Sequence, residues 1–153
     1  MARLMRAFWG VAILLAACLP GLESVAAEPL VLAREGKPLA SIWRGDDGKR
    51  AANDLAENLA AITGGTFTVM DWTPETKLPA DQPAILVGEA ALANGLAALP
   101  PSASGDSYRV ERQGQWLLLG GENNDGTFFA TTHFLETLGC RFYFANPIGT
   151  VIP

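Results

Sequence analysis

The stretch Lys49–Thr63 constrains the fold more than any other part of this chain. Ala51, Ala52, Leu55, Ala56, Leu59 and Ile62 recur at spacings of three and four, while Lys49, Arg50, Asp54, Glu57 and Asn58 fall mainly elsewhere. That periodicity predicts a helix with one packed face and one wet face. Asp46-Asp47-Gly48 offers N-cap carboxylates ahead of it. Gly64-Gly65 ends it, because glycine takes positive φ at no steric cost. Such a helix must bury its apolar stripe against another layer.

The flanking segments supply that layer as strands. Leu30–Arg34 and Ala40–Arg44 are β-prone and separated by Glu35-Gly36-Lys37-Pro38, a turn signal that predicts a hairpin between them. Thr66–Asp71 reads as a strand, Trp72–Pro83 as a proline-punctuated loop, and Ala84–Val87 as a short apolar strand. Ala90–Leu99 reads as a surface helix ending before Pro100-Pro101. Asp106–Arg112 and Trp116–Leu119, joined at Gln113-Gly114-Gln115, predict a second hairpin. A second main helix follows over Thr127–Leu138, with Asp125 as N-cap and Gly139 as its stop. Its Phe128, Phe129, Ala130, Phe134, Leu135 and Leu138 predict a largely buried helix, and Thr150–Pro153 reads as a short final strand. The expected fold class is α+β, with one mixed β-sheet and two main helices packed on one of its faces.

The first residues read as an address. Arg3 and Arg6 precede an apolar run over Ala7–Ala17, the length of a signal-peptide core and too short for a membrane span. Val25-Ala26-Ala27 offers small residues for signal peptidase, giving a leader over 1–27 and a domain over 28–153. Leu15-Ala16-Ala17-Cys18 also fits a lipoprotein signal, in which Cys18 becomes the lipidated N-terminus. Both routes predict export, to the periplasm or beyond, and the second adds a membrane anchor at Cys18.

The whole chain carries a net charge of −5, and the leader's Arg3, Arg6 and Glu23 together carry +1, leaving −6 on the domain. An acidic domain with scattered basic residues has no electrostatic footprint for nucleic acid or an anionic membrane face. Only Cys140 remains after the leader, so no intrachain disulfide is expected; between apolar neighbours it reads as a small buried hydrophobe.

Candidate chemistry is sparse. Glycoside hydrolysis uses two carboxyl groups held across the scissile bond. The available pairs are Asp46 with Asp47, Asp54 with Glu57, and Glu122 with Asp125; caps and a solvated helix face account for them. The single histidine, His133, is expected to be a packed, hydrogen-bonded structural residue, with Glu136 one turn away and available to brace Arg141 or backbone at the helix end. One His and one Cys make no zinc site. Gly120-Gly121 lacks the Lys-Ser/Thr of a phosphate loop and the three-glycine dinucleotide spacing. No catalytic residue, metal or cofactor is expected. Among the aromatics, Trp43 and Trp116 are expected to fill the core from strands, and Trp72, in the loop before Thr73-Pro74, is the candidate sugar contact.

Several segments carry a resemblance to a known family. Ala51-Ala52-Asn53-Asp54-Leu55 through Ile62-Thr63-Gly64, Ile85-Leu86-Val87-Gly88, Asp125-Gly126-Thr127, Phe134-Leu135-Glu136, Leu138–Tyr143 and Gly149–Pro153 follow in the order found in the α-glucuronidase N-terminal-like domain. That domain precedes the catalytic barrel in several exported glycoside hydrolases. The resemblance implies a fold like the small domain before the barrel in β-hexosaminidases. It also implies that the catalytic acid and base lie in a following barrel, which this sequence does not include. The expectation is therefore a non-catalytic accessory domain that supports polysaccharide breakdown by packing on a barrel, its main partner. The alternative is a free-standing carbohydrate-binding or cell-surface interaction module. The packing role predicts an exposed apolar patch on the domain.

Overall fold

The computed structural model describes residues 28–143 and 149–153. The expected leader over 1–27, with Cys18, lies outside the described residues.

The chain begins with a small ribbon, β1 (Ala33–Arg34) paired antiparallel with β2 (Lys37–Pro38). Glu35 and Gly36 form its turn with φ of 50° and 75°, the twist that matches a two-residue hairpin. The hairpin expected between Leu30–Arg34 and Ala40–Arg44 is therefore replaced by a tighter one, and β3 (Ser41–Arg44) goes elsewhere. It joins a five-stranded sheet between β4 (Val69–Asp71) and β5 (Ala84–Val87), parallel to both. Next to β5 comes β7 (Trp116–Gly121), also parallel, and β6 (Tyr108–Gln113) closes the edge as the antiparallel hairpin partner of β7. The spatial order is β4-β3-β5-β7-β6. The fold is α+β around one five-stranded mixed sheet.

Two main helices cover one face. α1 (Lys49–Thr63) has the bounds its periodicity predicts, and its Ala51, Ala52, Leu55, Ala56 and Leu59 are buried. Gly64 ends it with φ 77°, its N–H donating to the Ala60 carbonyl. α3 (Asn124–Thr137) lies beside α1, and the two share a core with Ile42, Ile85, Val87, Leu117 and Leu119 from the sheet. The Arg50 guanidinium lies over the Phe128 ring at 4.3 Å, adding a cation–π contact between the helices. The opposite face carries a second core of Ala84, Leu86 and Leu118 with the short α2 (Glu89–Ala93) and Leu96. Trp43, Trp72, Trp116 and Leu78 pack against that second core, only partly buried. The Trp116 indole donates to the Pro79 carbonyl at 2.9 Å and so pins the long loop there.

Several local expectations change. The predicted helix over Ala90–Leu99 is one short piece, Glu89–Ala93. The N-cap of α3 is Asn123, whose Oδ1 accepts from Gly126 N at 2.9 Å; Asp125 sits inside the first turn. Asp46 and Asp47 do not cap α1, which follows a single 3-10 turn over Asp46–Gly48. The last residues pair as β8 (Arg141–Phe142) with β9 (Thr150–Val151), a ribbon separate from the main sheet.

Candidate functional site

Parallel strands place their following loops at one edge of the sheet, and ligands in open parallel sheets bind beyond those carboxyl ends where connections diverge. Here the divergence lies between β3 and β5. β3 leads through α1 to β4 on one side, and β5 occupies the other. The loop after β3 supplies Asp46 and Asp47, the loop after β4 supplies Trp72–Pro74, and the turn after β5 supplies Gly88 and Glu89. The two loops at the divergence are tied directly, since both Asp47 carboxylate oxygens accept from Glu89 N at 3.0 and 3.1 Å. Gly88 makes this possible. A Cβ there would lie 2.6 Å from Asp47 Oδ1, and its φ of 65° is glycine's territory.

Beside that tie lies an open depression of about 380 Å³ lined by Arg44, Asp46, Asp71, Trp72, Pro74 and Glu89. Arg44 and Asp71 are register partners at the ends of β3 and β4, and they form an ion pair. Asp46 approaches the same guanidinium at 3.7 Å, and the Arg44 side chain is only 14% exposed. Trp72 N donates to the Arg44 carbonyl at 2.8 Å, so the tryptophan is held by backbone pairing rather than by a free loop. A neighbouring depression, lined by Asp46, Asp47, Lys49, Arg50, Asn124 and Asp125, lies where α1 and α3 begin.

The remaining candidate carboxylates have separate tasks. Glu122 clamps the loop before β6: its carboxylate accepts from the Ser102 hydroxyl at 2.7 Å, from Ser102 N, and from Ser107 N at 3.4 Å. The Ser102 hydroxyl and then its backbone N–H hold the Glu122 carboxyl below the usual carboxylate range. Asp54 lies on α1, where desolvation and then the neighbouring Glu57 raise its pKa. Of the pairs read from the sequence, Asp46 and Asp47 both line the depression where α1 and α3 begin, with Asp47 engaged by Glu89 N; Asp125 lines the same depression without Glu122.

Gly120 and Gly121 have a steric task. A Cβ on Gly121 would lie 2.1 Å from Gly126 C, so the end of β7 meets the start of α3 backbone to backbone. Cys140 is fully buried, and desolvation pushes its thiol pKa up. Arg141 braces the end of α3 by donating to the Glu136 backbone carbonyl at 3.0 Å, not to the Glu136 carboxylate.

His133 departs from expectation. It is exposed on α3, with its ring centroid 5.6 Å from that of Tyr108 on β6. Phe129, Tyr108, Thr132, His133, Glu136 and Asp106 line one shallow depression of about 240 Å³. Phe129 is 42% and Tyr108 40% exposed, so α3 is less buried than its composition suggests; Leu138 also faces outward.

Of the sequence candidates, Trp72 lines the sheet-edge depression and is half-buried. Arg44, Asp71 and Glu89 were not singled out from the sequence. The detectable signal was only that each ends or follows a predicted strand. Among the described residues no group of three His, Cys, Asp or Glu side chains is placed to hold a metal ion, and no helix is long and apolar enough to cross a membrane. In comparison with known proteins, no family model matches this chain and no curated protein matches it.

Proposed function

We propose that residues 28–153 form a non-catalytic accessory domain of an exported, glycoside-hydrolase-type protein, supporting carbohydrate breakdown by packing on a catalytic barrel. The observation that carries this reading is the aromatic surface where α3 meets β6. Phe129 and Tyr108 stand exposed around one depression, with the His133 ring tilted against Tyr108 and Asp106 and Glu136 in the same lining. Exposed aromatics with a polar rim are the anatomy of a protein–protein contact. The same helix also sets the direction of any continuation. A Cβ on Gly139 would meet Pro153 at 3.3 Å, so a chain running on from Pro153 leaves the fold beside the end of α3.

Hydroxyl-radical footprinting of the complete gene product, compared with the isolated domain, tests this reading. Oxidation of Phe129 and Tyr108 is expected to fall in the complete product. Equal oxidation of both residues in the two samples would overturn the packing.

A further inference from the structure

We infer that the depression at the carboxyl edge of β3, β4 and β5 is a binding subsite for a neutral polyhydroxylated ligand, a sugar ring of an uncharged oligosaccharide. The inference goes beyond the packing role and concerns a different surface from Phe129 and Tyr108.

The floor of the depression is electrically balanced. Arg44 is nearly buried and paired with Asp71, so guanidinium N–H donors and carboxylate acceptors lie side by side. That pattern matches adjacent hydroxyl groups, each of which donates and accepts. The Asp46 and Glu89 carboxylates add acceptors to the lining. Together with Arg44 and Asp71 they give the depression a net charge of −2, which disfavours carboxylated or phosphorylated ligands. Arg44 is already paired with Asp71, so the depression offers donors and acceptors side by side without a free positive charge. An uncharged ligand rich in hydroxyls can use both kinds of group.

Trp72 supplies the apolar wall. Trp72 packs against the second core, is among the residues lining the depression, and has its backbone fixed by the bond to Arg44. A half-buried indole on an anchored backbone offers a flat apolar surface for the C–H face of a pyranose. The volume of about 380 Å³ falls at the small end of the range of about 300–1,000 Å³ for small-molecule sites, suited to one or two sugar rings. The position, beside the divergence of β3 and β5, is where parallel sheets bind ligands.

The test is an NMR titration of the exported chain with neutral gluco-, xylo- and manno-hexasaccharides. An oligoglucuronate serves as the anionic comparison and an oligoglucosamine as the cationic one. At least one neutral series is expected to shift the Trp72 indole and Glu89 amide signals with a Kd of about 1 mM. Glu89→Gln, at an exposed position whose backbone N–H makes the bond to Asp47, is expected to weaken binding about tenfold and leave the rest of the spectrum in place. Trp72→Ala is expected to abolish it. The inference is overturned by the absence of shifts with every neutral series, by preference for either charged oligosaccharide, by shifts mapping to another surface, or by unchanged affinity in Glu89→Gln and Trp72→Ala together. Loss of this binding leaves the footprint at Phe129 and Tyr108 unaffected, so the two proposals fail separately.

Discussion

Both carboxylate oxygens of Asp47 accept the backbone N–H of Glu89, although the residues lie 42 positions apart in the chain. This one contact joins the loop after β3 to the start of α2, across the point where the strand connections diverge. A residue that reads in the sequence as a cap for α1 thus satisfies an orphan N–H of a different helix.

Asp47→Ala removes that acceptor. Unfolding by urea is expected to show a loss of about 0.5–2 kcal/mol, the range for deleting a helix cap. Gly88→Ala is expected to cost more, since its new Cβ meets the Asp47 carboxylate and its φ is positive. Equal stability of both variants and the native chain would show that the two loops are not coupled.

The glycines at the β7–α3 junction differ sharply from the one that ends α1. Gly121→Ala forces backbone apart at a 2.1 Å approach and is expected to cost at least about 2 kcal/mol. At Gly64 nothing lies within 4 Å, so Gly64→Ala pays only for its left-handed φ, about 1 kcal/mol. Chemical denaturation of both variants checks the contrast.

Glu122 makes the loop before β6 sensitive to acid. Its carboxyl is held below its ordinary value by Ser102, so its contribution is fully present above the unfolded pKa of about 4.3 and is lost as pH falls through the lower folded value. The protection factors of the Ser102 and Ser107 amides, measured against the intrinsic exchange rate at each pH, are expected to fall across that window. Glu122→Gln should show fast exchange at Ser102 already at neutral pH.

Cys140 is fully buried between α3 and the closing ribbon, with a raised thiol pKa. Alkylating reagents are expected to leave it unmodified in the folded chain and to label it once the chain is denatured. Labelling at equal rates in both states would place the thiol at the surface.

Core and surface positions on α3 separate in the same way. Leu135 is fully buried, and Leu135→Ala is expected to cost about 2–5 kcal/mol. Phe129→Ser, at a 42% exposed position, is expected to change the stability of the domain by no more than about 1 kcal/mol. A large loss in Phe129→Ser would mean that the aromatic surface belongs to the domain's own core.

The two main helices were legible because their information is local. The spacing of Ala51 to Leu59 and the stop at Gly64 set α1 without reference to anything distant. The same held for the hairpin of β6 and β7, whose turn carries Gly114. Strand pairing was not legible where it is parallel. β3 finds its partners at Val69–Asp71 and Ala84–Val87, and no turn signal marks such a pairing. The cap of α3 was misplaced because Asn123, Asn124 and Asp125 are three consecutive side chains able to accept, and only the backbone geometry selects Asn123. His133 was misjudged because α3 is apolar nearly all round, so its composition does not show which side meets the sheet. The sheet-edge depression was invisible for a related reason: Arg44, Asp71 and Glu89 come together only through the parallel register.

The central claim, that this is an accessory domain packing on a catalytic barrel, is tested most directly by sequencing the gene past codon 153. The account predicts an open frame running on into several hundred further residues with repeating strand–helix units. A stop codon directly after Pro153 would contradict it.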